Sequence, residues 1–169
     1  MSADGVGRDP RLIAERRGGL LSDVDHRLLA LWAADCAERV LWVFTALDPR
    51  DDRPRAAIEL ARRWSAGEAK VADARAASVA AHAAARAVDG GARLAARAAG
   101  HAVATAHMAD HALGAAYYAL LALRAEYPGD DSVVDAERRW QLEVLPAAID
   151  DLVRDDMRVR AAKFQGIFG

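Results

Sequence analysis

The sequence predicts an all-α fold: a compact bundle of five to six mostly antiparallel, Ala-rich helices. Three observations lead there. Much of the 53% apolar content is alanine, the residue of highest intrinsic helix propensity. Apolar residues recur at three- and four-residue steps, as in Leu29, Ala33, Cys36, Val40, Phe44 and Leu47, which is the repeat of a helix face. The Val, Ile, Thr and aromatic residues that a sheet would need are sparse, aromatics being 6% of the chain. At 169 residues the chain fits one domain. Alanine buries little surface, so the core must come from close helix–helix approach plus a few large residues such as Phe44, Ile58, Trp64, Trp140 and Ile149.

The elements follow in order. Residues 1–20, punctuated by Gly5, Gly7, Pro10, Gly18 and Gly19, read as a flexible N-terminal segment ahead of a single helical domain over 21–169. Ser22-x-x-Asp25 supplies a cap and a first-turn acid for a helix running to about Leu47. Asp35 and Arg39 on its side are spaced for an i,i+4 ion pair. The run from Asp48 to Pro54 stops that helix and starts a second. Asp51 and Asp52 read as caps there, and Pro54 sits in a first turn where its missing N–H is not needed. Ser65-Ala66-Gly67-Glu68 has the spacing of a capping box and predicts a fresh helix that continues to Val88. Asp89-Gly90-Gly91 breaks the chain, and the longest helix follows, from about Ala92 to Glu126. Tyr127 to Asp131 ends it and caps a helix over Ser132–Val144. Pro146 opens or kinks a last helix that ends near Arg160, leaving an apolar tail from Phe164 to Gly169.

Composition excludes several classes of function. A net charge of −2 with acids and bases interspersed argues against nucleic-acid binding, which wants a basic face. Cys36 is the only cysteine, so neither an intramolecular disulfide nor a thiolate zinc cage can form. Its place in the apolar line predicts a buried structural thiol. Met1 to Arg17 has no apolar core of signal-peptide type, and no stretch approaches the roughly 18 apolar residues of a membrane span. The chain reads as cytoplasmic, without a membrane partner.

The sharpest constellation lies on the predicted longest helix. Gly100, Ala104, His107, His111, Gly114 and Tyr118 share one face, with Asp110 beside it. Two histidines at i,i+4 can share a divalent metal, with Asp110 as a third ligand or an orienting partner, and His82 could meet them across the bundle. The alternative is a helix–helix seam in which each imidazole is hydrogen-bonded and no cofactor is needed, and this alternative is favoured because neither HExxH nor a repeated ExxH is present. On a continuous helix His101 would lie more than about 90° from His107 and would not contribute. Arg75, Ser78, His82 and Arg86 form a second polar line, either a solvated face or a groove whose two arginines fork a carboxylate or phosphate. Asp51, Asp52 and Arg53 are further candidates for anion or partner contacts. Asp150, Asp151, Asp155 and Asp156 alternate with Arg154, Arg158 and Arg160 and read as a salt-bridged face rather than a magnesium motif. Trp42 falls off the apolar line of its helix and Trp32 lies at its edge. If Trp42 is exposed, it becomes a candidate anchor for a protein partner.

Several segments together resemble one family. They include Trp32-Ala33-Ala34-Asp35-Cys36-Ala37-Glu38-Arg39, Asp51-Asp52-Arg53-Pro54-Arg55, Trp64-Ser65-Ala66-Gly67-Glu68 and His107-x-x-x-His111-Ala112-Leu113-Gly114-Ala115. Over roughly residues 22 to 146 their order and spacing resemble the Imm-five-like putative immunity proteins of bacterial polymorphic-toxin systems. The resemblance implies an α-helical protein that binds and neutralises a cognate protein toxin. It carries no catalytic residues, and such a protein needs no reaction, so the chain leans away from being an enzyme. The competing readings are a small metal-dependent enzyme or small-molecule binder using His82, His107, Asp110 and His111, and a homo-oligomeric helical module suggested by the Ala-rich helices and apolar tail.

Overall fold

A computed structural model describes residues 8–169. After two short 3-10 turns, Pro10–Leu12 and Glu15–Arg17, the described residues form eight α-helices. They are α1 (Asp23–Glu38), α2 (Leu41–Leu47), α3 (Arg53–Ser65), α4 (Val71–Arg86), α5 (Gly90–Ala104), α6 (His111–Glu126), α7 (Asp131–Glu143) and α8 (Ala147–Val159). Among the described residues there is no strand, only an isolated bridge between Ala14 and Leu21. No helix among them is long and apolar enough to cross a membrane.

The axis of the bundle is α5, which packs against α1, α2, α3, α4 and α6. Its buried residues are all Ala or Gly except Val103. A helix surrounded by five others can be approached closely only where its side chains are short, since interaxial distance follows side-chain size at the contact. The alanine content thus serves packing as much as helix propensity. The large residues Leu29, Trp32, Phe44, Ile58 and Ile149 are fully buried around this rod. Cys36 is buried as expected, and burial pushes its thiol up.

The helices number eight rather than five or six because two long helices are each broken. The first breaks at Arg39–Val40, where successive backbone bonds tighten to a three-residue spacing: Val40 N–H donates to the Ala37 carbonyl and Val43 N–H to that of Val40. The second breaks at 105–110, which contains neither Gly nor Pro. The side chains that take the carbonyls of this corner come from far along the chain. His26 Nε2 donates to the Thr105 carbonyl at 2.6 Å, Arg17 to that of His107 at 3.2 Å and Arg160 to that of Asp110 at 3.1 Å. Carbonyls satisfied from outside no longer need an intrahelical partner, so α5 stops and α6 restarts at a new angle.

Two local expectations are also corrected. Ser65–Glu68 ends a helix instead of starting one. Gly67 has φ +80°, Gly67 N–H donates to the Trp64 carbonyl and Glu68 N–H to that of Arg63, which is a Schellman stop. The Asp35–Arg39 pair does not form. Asp35 pairs with Arg62 of α3 at 2.8 Å and Arg39 with Glu137 of α7 at 2.9 Å, so both residues tie helices together. Ser22 caps α1 as predicted, accepting from Asp25 N–H at 3.0 Å.

The termini pack on the same end of the bundle. Within the N-terminal segment expected to be flexible, residues 1–7 lie outside those described, while Leu12 and Ala14 are buried. Arg8 makes a two-toothed contact with the Asp110 carboxylate, at 2.9 and 3.1 Å. At the other terminus, Phe164 and Ile167 are buried and dock the apolar tail. The acidic face of α8 is salt-bridged: Asp150 to Arg154, Asp155 to Arg11 and Arg158, and Asp156 to Arg160.

Candidate functional site

Four imidazoles run in a row across the α4–α5–α6 seam. His82 of α4 meets His101 of α5 edge-on, with ring centroids 5.3 Å apart. His101 meets His111, the first residue of α6, at 5.2 Å, and His111 meets His107 in the corner at 5.4 Å. His101 is the centre of the row and stacks on Tyr118 at 5.1 Å. The corner at 105–110 brings it in, by ending the continuous helix that would have turned it away from His107.

His82 and His101 each sit in a notch made by a glycine. A Cβ on Gly100 would lie 2.6 Å from the His82 ring, and one on Gly114 would lie 2.7 Å from His101 Nδ1. In helices otherwise filled with alanine, these two positions lack even a methyl group because a ring occupies the space.

Burial keeps the row neutral. His101 is pushed down to about 3, first by desolvation and then by the neighbouring His111, His82, Arg97 and Lys163 charges. His82 is pushed down to about 4, by desolvation and then by Arg97. His107 and His111 are lowered too, again mainly by burial. The hydrogen bonds agree with that charge state. Arg97 donates to His82 Nδ1 at 3.0 Å, which places the His82 proton on Nε2. The Nδ1 atoms of His101 and His111 lie 3.1 Å apart, so one donates and the other accepts.

The predicted site residues divide. His107 and His111 are close, but through a corner rather than along one helix face. Asp110 is taken up by Arg8, and His82 reaches His111 only through His101. Among the described residues, no three His, Cys, Asp or Glu side chains come together to hold a metal ion. The Nδ1 atoms of His26 and His107 are both buried without a hydrogen-bond partner. Both rings line a hole of about 10 Å³, roughly the size of one water molecule. On α4, Ser78 and His82 turn inward, Ser78 donating to the Gly100 carbonyl at 3.0 Å, while Arg75 and Arg86 are exposed. At the start of α3, Arg53 folds back on Asp51, whose carboxylate also accepts from Arg53 N–H at 3.1 Å. Asp52, expected as a cap, makes no side-chain capping bond.

Two open clefts lie at opposite ends of α6, the first of them bordering the row. Near its start, a cleft of about 410 Å³ is lined by His101, His111, Tyr117, Tyr118, Lys163 and Phe164. Near its end, a groove of about 500 Å³ is lined by Arg39, Trp42, Tyr127, Val133 and Glu137. Trp42 is 46% exposed and Tyr127 42%, whereas Trp32 is 1% exposed. Arg39 lies over the Trp140 ring at 4.2 Å and binds Glu137, itself only 4% exposed.

Sequence reasoning missed His101, Lys163 and Phe164. The glycines held a usable signal: a lone Gly inside an Ala-rich helix marks the close approach of something larger than a methyl group.

Fold and site together define a small helical bundle with a buried imidazole seam and open clefts at its surface. Residues 19–148 match the family model described as Imm-5 like putative immunity protein, and the chain belongs to that family. No curated protein and no solved structure matches it.

Proposed function

We propose that this chain is an immunity protein that binds and neutralises a cognate bacterial protein toxin in the cytoplasm, by occlusion rather than by catalysis and without a cofactor. Family membership over residues 19–148 supports the role. The observation that carries the reading is the exposed Trp42 beside Tyr127 and Arg39 at one groove. Trp, Tyr and Arg are the residue types enriched at binding hot spots. Here the Arg39–Glu137 ion pair and the Trp140 ring hold the groove wall rigid, so little side-chain freedom is lost on docking. Glu126, Asp130, Asp131 and Asp135 on the adjoining ends of α6 and α7 suit a partner with basic residues around an apolar centre.

The test is co-expression with the product of a neighbouring toxin gene. Growth should be restored by the wild-type chain, and Trp42→Ala should weaken binding by roughly tenfold or more while leaving the fold intact. Failure of the wild-type chain to bind or neutralise any such toxin would overturn the reading.

A further inference from the structure

The cleft at the start of α6 has a composition that toxin binding does not call for. It is lined by the His101–His111 pair, by the rings of Tyr117, Tyr118 and Phe164, and by Lys163, with Asp110 and Arg160 beside them. At about 410 Å³ it falls in the range of small-molecule sites.

The charges around it do not cancel. The Asp110 carboxylate is held by Arg8, and the Arg160 guanidinium is shared between Asp156 and the Asp110 carbonyl. Lys163 has no acidic partner among the described residues, and its Nζ lies 5.7 Å from the centroid of the Phe164 ring. Its positive charge disfavours protonation of both His101 and His111, and it lines the same cleft as they do. One uncompensated cation therefore shares the cleft with two neutral imidazoles joined through one Nδ1 proton, with three aromatic rings beside them. The ring pairs Tyr117–Phe164 and Tyr117–Tyr118 lie 4.9 and 5.2 Å apart, inclined at 48° and 68°, an aromatic wall that offers both edges and faces to a planar group.

We propose that this cleft binds a small organic oxyanion carrying a planar ring, its phosphate or carboxylate held by Lys163 and the His101–His111 pair and its ring laid on Tyr117, Tyr118 and Phe164. An oxyanion supplies the counter-charge that Lys163 lacks and accepts from the imidazole side, and the ring packs against the half-buried Tyr117 and Tyr118. Lys163 and Phe164 lie outside the family-matched residues 19–148, whereas the histidines and tyrosines lie inside. The site is therefore completed by this chain's own C-terminal turns. It sits at the opposite end of α6 from the Trp42 groove, and its occupancy does not depend on toxin binding.

Calorimetric titration of the full chain at neutral pH tests this, with phenyl phosphate and benzoate as probes and with inorganic phosphate and benzyl alcohol as their two halves. We expect one saturable site per chain for at least one of the ring-bearing anions, bound roughly tenfold or more tightly than either half alone. The stronger of phenyl phosphate and benzoate identifies the oxyanion. Lys163→Met should weaken binding by about tenfold or more, and Lys70→Met, at the only other lysine, should not. Both lysines are solvent-facing or nearly so, and the thermal unfolding of each variant should match the parent. The proposal is overturned by no saturable binding at millimolar probe, by equal affinity for benzyl alcohol, or by equal losses in the two lysine variants.

Discussion

The two ends of α6 both bury polar groups among alanines, and they do so in opposite ways. At its start the buried groups are imidazoles that stay neutral and satisfy one another, as in the 3.1 Å contact between His101 and His111. At its end the buried group is a carboxylate, Glu137, which finds its counter-ion in the half-exposed Arg39. Beside that pair, Trp32 donates to the Gln141 carbonyl at 2.8 Å and Gln141 donates to that of Ala116 at 3.2 Å. The histidine end depends on the absence of a proton and the tryptophan end on the presence of a partner. They should therefore fail under different insults.

The largest effect is expected at the tryptophan end. Arg39→Ala leaves Glu137 buried and uncompensated and should cost about 3 kcal/mol in urea unfolding. Glu137→Gln leaves only a half-exposed arginine without its acid and should cost about 1 kcal/mol. Equal losses in the two variants would break the comparison, because the asymmetry follows from which partner is buried.

Acid should act on the other end. His101 and His82 titrate near 3 and 4 in the folded chain against about 6.5 when unfolded. The unfolded chain therefore takes up more protons between these values, and stability falls as pH drops through that window. His101 alone accounts for about 2 kcal/mol between pH 7.5 and 5, and the more exposed His82 adds a smaller, solvent-screened share. Unfolding curves recorded across this range check the sign, and a His101→Gln variant should flatten the dependence.

Gly114→Ala comes next, at about 1 to 2 kcal/mol, because the new methyl group must displace His101, which is wedged between Tyr118, His82 and His111. Imidazole proton shifts of His101 should move in that variant while the Trp32 indole signal stays put. Trp42→Ala is the smallest, within about 0.5 kcal/mol, since the ring is 46% exposed. A larger loss would mean that the indole supports the fold rather than a partner.

How much of this was legible in the sequence follows from which interactions are local. Ser22 as a cap, the Asp89-Gly90-Gly91 break and the Asp150–Arg154, Asp155–Arg158 and Asp156–Arg160 pairs of α8 depend on neighbours within a few residues, and the apolar line of α1 marked Cys36 for burial, so local spacing identified them. The corner at 105–110 does not. Its carbonyls are satisfied by His26, Arg17 and Arg160, partners 50 to 90 positions away, so no breaker residue marks it. That one break moved His101 into the site and took His107 out of helical register with His111. The Ser65–Glu68 stop shows a different limit: Ser, Gly and Glu at that spacing fit both a helix start and a helix stop, and the positive φ of Gly67 decides between them.

The makeup of α5 has a consequence for how such a chain can evolve. Alanine and glycine cannot shrink usefully, and at the centre of five neighbours they cannot grow, so the buried positions of that helix are closed to substitution. The outward faces of α2, α7 and the terminal turns carry no such restriction. A lineage can therefore rewrite the Trp42 groove or the C-terminal wall of the other cleft, following a changing partner, while the frozen rod between them keeps both in place.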